Sequence, residues 1–481
     1  MLIGIDVGTT AVKAALFDES GRVIRDFAAR YSTLRPAPGH VEQNPDDWMR
    51  LVDRALEELG RDVSVKAIGL CSQVNTHVFV DDAGGALCPA LTWQDTRCAA
   101  DAALLDTKVD HDDRLTWWRA PLPIDSSHML SRMAYIARTD PALWSRTRHV
   151  LAPKDYCIAV LTGEVISDPM THFGILDQSL QLIEPLIALV PGARERLPMI
   201  KPFTSRAGVI RKNHPCAGVP IITSAMDAWS GLFGAGICAE GQGLYLSGTS
   251  EILGLISQRR NPTPGVITFA DCEGLTFHAG PTQSGGASAH WAAKLLGRDA
   301  TDLFALATEA DLRHVPLFLP HLEGERAPLW DAEARGSFTG LTSATGPAEL
   351  ARAVLEGVAY SARLVFDRLY ESGGRTADVI HHSGGGSRSD LWCQIRSDVL
   401  GTTLRRTKTS DAGVVGAAAT AATGIGLFSS LADAASHFVI FDRDFLPDAT
   451  TKARHDERYI AYQKAYADLK TLNHMFSTMK S

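Results

Sequence analysis

Two related α/β halves are the fold this sequence predicts, and three observations predict it. Short apolar strands alternate with amphipathic helices, which is the pattern of an α/β protein. A strand, a Gly-Thr turn and a second strand occupy residues 2–17, and the same unit returns about 240 residues later at 242–256. With 481 residues, 45% of them hydrophobic, the chain is long enough for two or three domains with their own cores.

The elements follow in order. Leu2–Asp6 and Ala11–Phe17 read as strands around Gly8-Thr9-Thr10, followed by a polar hairpin at Asp18–Arg22. A helix is predicted from Pro45: Asn44 suits the N-cap, Asp46 and Asp47 complement the dipole, and Gly60 ends the run. Its apolar face is Trp48, Leu51, Val52, Ala55, Leu56 and Leu59. Val65–Cys71 and His77–Val80 read as strands. Residues 236–242 are the expected divide, giving an N-terminal domain 1–238 and a C-terminal domain 239–481. In the second half, Pro347 opens a long helix that stops at Gly373-Gly374. A strand at Val379–His382 then runs into Ser383-Gly-Gly-Gly-Ser387, and a helix starts at Asp390.

Composition excludes several classes. There are 47 basic and 55 acidic residues, a net charge of −8, so a nucleic-acid partner is not expected. The eight cysteines form no CxxC pair and read as reduced thiols of a cytoplasmic protein. No basic stretch precedes the first apolar one, and Asp6 interrupts it, so no signal peptide is expected. The uncharged run Ala412–Ala432 is mostly Ala, Gly, Thr and Ser, which suits a closely packed buried helix better than a membrane span.

No GxxxxGK[ST], GxGxxG or HExxH motif is present. Three Gly-containing loops follow predicted strands: Asp6-Val-Gly8-Thr9-Thr10 with Lys13, Ser247-Gly248-Thr249-Ser250, and Gly384-Gly385-Gly386-Ser387. Each alone reads as a turn, whereas three in one α/β chain point to a nucleotide polyphosphate, because glycine lets backbone N–H groups approach an anion. Asp227 is the only Asp, Glu, Lys, Arg or His among the 25 residues Pro215–Ala239. A lone carboxylate in apolar surroundings costs several kcal/mol unless compensated. It reads either as the N-cap of a helix starting at Ala228 or as a general base aimed at a substrate hydroxyl. Asp6 reads as a turn residue, or as a holder of hydrated Mg²⁺ beside a phosphate loop. His381-His382 reads as packing rather than metal binding, and His77, His278 and His321 carry no assignment. Trp93-Gln-Asp-Thr-Arg97 offers an aromatic face, a carboxylate and a guanidinium, which suits a polyol or a surface ion pair.

Taken together, these residues resemble the FGGY family of carbohydrate kinases over nearly the whole chain. The start, Ile3-Gly-Ile-Asp-Val-Gly-Thr-Thr-Ala-Val-Lys13, resembles the family's first phosphate motif. Glu42-Gln-Asn-Pro-Asp-Asp-Trp48 and Trp93–Arg97 are similar to family segments, as is Gly324-Glu-Arg-Ala-Pro328. Gly336-Ser-Phe-Thr-Gly-Leu341 and Glu349-Leu-Ala-Arg-Ala-Val-Leu-Glu356 resemble its C-terminal signature.

The resemblance implies two ribonuclease-H-like (actin-like ATPase) domains facing a central cleft, the first binding sugar and the second nucleotide. It implies ATP and Mg²⁺ as cofactors, a small-molecule sugar or polyol as partner, no membrane, and a homodimer. Asp227 matches the catalytic aspartate and Asp6 the one near Mg²⁺. Thr9, Thr10 and Lys13 match the first phosphate loop, with Lys13 where some members have arginine. Gly248 and Thr249 match the second phosphate loop, and Gly385, Gly386 and Ser389 the adenosine loop. Gly286 and His290 lie in a nucleotide-side motif that often has glutamine at the latter position.

The substrate segment is Gln73, Val74 and Asn75, with Trp93, Asp227 and Ala228. It departs from familiar members. Xylulokinases usually carry Met-His-Gly after the glutamine and glycerol kinases Arg-Glu-Thr, where this chain has Val74-Asn75-Thr76. Asparagine or glutamine usually follows the catalytic aspartate, where this chain has Ala228. Layout and length resemble the xylulokinase branch, so a ketopentose is the expected acceptor. A tetritol, a hexulose or a glycerol-like polyol are the alternatives within the same chemistry. An actin-like nucleotide switch without a sugar acceptor is the alternative outside it.

Overall fold

The computed structural model describes residues 1–479 apart from 213 and 410. The chain forms two units. The first comprises residues 1–238, 269–273 and 411–439, and the second 239–268, 274–410 and 440–481. Two later stretches therefore pack with the first unit, whereas sequence order would put them in the other half.

The first unit is built on a six-stranded sheet. Its order is Arg206–Val209, Pro220–Ile222, Ala67–Ser72, Leu2–Val7, Ala11–Phe17 and Val23–Arg30. Leu2–Val7 pairs antiparallel with Ala11–Phe17 across the Gly-Thr turn and parallel with Ala67–Ser72. The second unit repeats this arrangement in a seven-stranded sheet. There Gln242–Ser247 pairs antiparallel with Glu251–Ile256 and parallel with Val379–Ser383. The two Gly-Thr hairpins are thus the same topological element at the centre of two sheets.

Alternation along Leu2–Val7 gives the first sheet two different faces. Ile3, Ile5 and Val7 share a core with Trp48, Val52 and Leu56 of the helix Pro45–Gly60. Asn44 caps that helix by accepting from the Asp46 N–H at 3.1 Å. Gly4 and Gly69 lie on the opposite face, where a Cβ would collide with the carbonyl oxygens of Val414 and Ala417. Those carbonyls belong to the helix Ala412–Gly424, which sits directly on the strand backbones. The same helix lies against Asp227–Gly234, where a Cβ on Gly416 would strike the Ser230 carbonyl. Residues 412–424 of the Ala- and Gly-rich run are therefore a buried close-packing helix, whereas the run then turns through 425–430 and ends in a second helix, Leu431–Phe438. Among the described residues no helix is long and apolar enough to cross a membrane.

Most predicted elements stand within one or two residues of their expected bounds. The long helix spans Pro347–Gly373 and closes on Gly374 in the left-handed region. The expected strand at 77–80 is Val78–Val80. One expectation is corrected. Asp227 is not an N-cap: Met226 holds that position, and Asp227 is the first residue of the helix Asp227–Gly234.

Candidate active site

Three adjacent parallel strands of the first unit end together, and the predicted residues lie at those ends. Val7 is in register with Ser72, and Ser72 bridges Met226. Asp6, Gln73 and Asp227 therefore leave the carboxyl edge of neighbouring strands, the edge at which open α/β sheets bind ligands. Cys71 lies between two of them. Its buried thiol is pushed well above the usual range, first by burial and then by the charges of Asp6 and Asp227.

Asp6 faces the first turn of the helix Ala412–Gly424: a Cβ on Gly413 would sit 3.1 Å from its Oδ2. Its Oδ1 is buried and has no hydrogen-bond partner among the described residues. Burial raises its pKa to about 6, and the nearby Lys13 ammonium opposes that rise. Lys13 itself is paired with Asp411 at 2.5 Å, both half-exposed. An incompletely satisfied carboxylate beside an exposed lysine and an exposed Thr10 fits a hydrated Mg²⁺, which takes one or two carboxylates and keeps its waters.

Asp227 is half-buried, and its Oδ1 accepts the Ala228 N–H at 2.7 Å. Its helix continues into Trp229, which meets Phe269 edge-on, and Phe269 meets Phe173 in the same way. Phe269 belongs to one of the later stretches of chain that join the first unit. Ala228 is buried.

The segment 73–77 is held by a cation that the motif reading overlooked. The guanidinium of the fully buried Arg132 donates to the carbonyls of Asn75 and Leu91, both at 2.5 Å, and to that of Thr92. It also meets His77 Nδ1 at 3.0 Å. Burial and the Arg132 charge hold His77 well below its usual range. Asn75 takes a left-handed backbone, φ 50°, and its amide donates to Ser127 Oγ at 3.2 Å. Val74 is half-buried. The one sequence signal for Arg132 is a single basic residue on the apolar face of Leu130, Met133 and Ile136.

The ion pair within Trp93–Arg97 is not a surface pair. Asp95 is buried and accepts from the Val41 N–H, and Arg97 bridges Asp95 and Glu42 at 2.7 Å each. The Trp93 indole N–H donates to Thr9 Oγ1 at 3.1 Å.

The second unit brings its own three loops together. The Gly286 and Ala287 N–H groups donate to the carbonyls of Gly248 and Thr249 at 2.9 and 3.0 Å. A Cβ on Gly384 or Gly386 would collide with Ser247. Gly248, Thr249 and Gly385 are exposed, as is His290, whose Nδ1 lies 2.8 Å from the Gly286 carbonyl oxygen. Ser389 accepts from the Trp392 N–H at 3.3 Å and so caps the helix Asp390–Leu400. Beneath these loops Arg396 pairs with Glu251 at 2.7 Å and also meets Ser247, His382 and the Gly386 carbonyl. His382, His278 and His321 are all held in internal hydrogen bonds.

Comparison with known proteins agrees with this layout. Residues 1–234 match the N-terminal domain of the FGGY family of carbohydrate kinases, and residues 243–425 match its C-terminal domain. The xylulose kinase of Escherichia coli (strain K12) is 31% identical over 98% of this chain and 99% of that protein. The xylulose kinase of Klebsiella pneumoniae is 33% identical over 84% and 86%. The crystal structure of xylulose kinase from Rhodospirillum rubrum superposes with a TM-score of 0.87 at 26% identity, covering 98% of this chain and 99% of that one. This chain belongs to the FGGY family of carbohydrate kinases.

Proposed function

We propose that the chain transfers the γ-phosphoryl group of ATP to a hydroxyl of a ketopentose, with xylulose the first acceptor to test. The observation that carries the proposal is Asp227, a carboxylate at the edge of three parallel strands beside Asp6 and Gln73. The relatives named xylulose kinase support the choice of sugar.

Asp227 takes the proton of the attacking hydroxyl as that oxygen bonds to phosphorus. It is held for this by its place in the first helical turn and by the Ala228 N–H. Gln73, Val74, Asn75 and Trp93 orient the acceptor. Thr9, Thr10 and Lys13 meet the transferring phosphate. Gly248, Thr249, Gly286, His290, Gly385, Gly386 and the Ser389 segment hold the nucleotide. The chemistry asks the protein for positioning and charge neutralisation rather than for a covalent intermediate. Asp6 would hold Mg²⁺ through its unpartnered oxygen. Mg²⁺ would supply charge neutralisation on the phosphates. Trading Asp411 for a phosphate oxygen would leave the Lys13 charge paired.

A coupled assay of ADP release across pentuloses, hexuloses, tetritols, glycerol and gluconate tests the reading. The expected outcome is the highest kcat/KM with D-xylulose. A clear preference for another acceptor would keep the reaction and replace the sugar. ATP turnover indifferent to every acceptor would sink the proposal.

A further inference from the structure

Gln43 is fully buried, and sequence reading gave it no role. Its amide hydrogens go to the Thr9 carbonyl at 2.8 Å and to Thr33 Oγ1 at 2.9 Å. The Thr9 carbonyl can only accept, so the amide can point only one way and its Oε1 must receive a hydrogen. It does so from Gln73 Nε2 at 2.7 Å. That contact orients the Gln73 amide in turn. Gln73 Oε1 is left buried, an acceptor with no partner among the described residues. At the other end of the chain of bonds, Thr9 Oγ1 accepts from the Trp93 indole, so the Thr9 hydroxyl hydrogen remains available to donate. The loop around Thr9 is held on both sides: the Tyr31 hydroxyl donates to the Gly8 carbonyl, and the Tyr31 N–H donates to that of Thr10.

We infer that Gln43 is a positioning residue that sets hydrogen-bond polarity at both ends of this network. Gln73 presents an acceptor to a hydroxyl of the sugar, and Thr9 presents a donor to a phosphate oxygen. The inference deepens the proposed function and rests on Gln73 and Thr9 meeting substrate there. One buried amide then ties the sugar-binding segment to the phosphate loop within a single unit. Leaving an acceptor unsatisfied in a buried position is costly, and a ligand hydroxyl removes that cost.

The test is steady-state kinetics of the full chain with D-xylulose and ATP, plus equilibrium titration with a fluorescent ATP analogue. Gln73→Met should raise the KM for D-xylulose about tenfold and leave the KM for ATP within about twofold, the scale of one hydrogen bond. Gln43→Met should raise both constants by about fivefold or more, because it releases both ends. Gln43→Leu serves if the methionine variant does not fold, and thermal denaturation separates folding from function. A residue that merely fills space would move Tm without this split between the two constants. Folded Gln43 variants that keep both constants at wild-type values would overturn the inference, as would a Gln73→Met enzyme with unchanged D-xylulose KM. Wild-type protein that binds the ATP analogue yet forms no ADP with D-xylulose would instead count against the choice of sugar.

Discussion

The two Gly-Thr hairpins share a topology, yet they treat their acids in opposite ways. In the first, Asp6 precedes the turn and keeps a buried oxygen without a partner, and its pKa is raised to about 6. In the second, Glu251 follows the turn, and both its oxygens are taken. Arg396 and Ser247 share one, at 2.7 and 2.9 Å, and the Tyr245 hydroxyl donates to the other at 2.9 Å. Arg396 also stacks on Trp392, 3.8 Å from the ring centre. A closed pair of this kind holds loops together. An open carboxylate keeps capacity for something that arrives from outside. The buried Lys154–Asp155–Asp168 group of the first unit is closed in the same way, Lys154 meeting the two acids at 2.6 and 2.8 Å.

The largest expected effect lies at Asp227. Asp227→Asn should lower kcat for ketose-dependent ADP formation by roughly 10²–10⁴-fold, the range of general-base catalysis, with nucleotide binding and Tm retained. A variant near the wild-type rate would break the assignment of the base. Next is the closed pair. Arg396→Met strands a buried Glu251 and should cost about 3–5 kcal/mol of stability in denaturant titration. The double variant Arg396→Met/Glu251→Met should recover much of that loss, because the uncompensated charge is gone. If the single and double variants were equally unstable, packing rather than charge would be the reason.

A smaller effect sharpens the contrast at Asp6. Its folded pKa is raised, so its contribution to stability is fully present below about 3.8 and lost as pH rises through about 6. Asp6→Asn should therefore raise Tm at pH 8, with the gain fading below about pH 4. In activity the direction reverses. The wild-type KM for Mg-ATP should rise as pH falls through about 6, and the asparagine variant should lose that dependence. The smallest effect is the control. Asp444→Asn breaks an exposed pair with Arg405 at 2.9 Å and should change stability by about 1 kcal/mol or less.

Much of the scaffold was legible because its signals are local. Asn44 and Pro45 mark a helix start, and Gly374 marks a helix end. The Ala- and Gly-rich run declared a helix that packs at backbone distance. The Gly-Thr turns declared themselves twice. Asp227 stood out as a lone charge in apolar sequence, although its role as an N-cap did not survive, since Met226 takes that position.

What tertiary structure alone decided are contacts between residues far apart in the chain. The sequence by itself determined element types, the repeated hairpin and the family's motifs, since spacing and composition encode these directly. It could not assign residues 411–439 to the first unit, because which sheet a glycine-lined helix covers depends on matching bare strand backbones, here Gly4 and Gly69. Nor could it join Gln73 to Gln43 and Thr9, or Arg396 to Glu251. Hydrogen bonds of that kind have no period and no motif, and only the fold brings their donors and acceptors within reach.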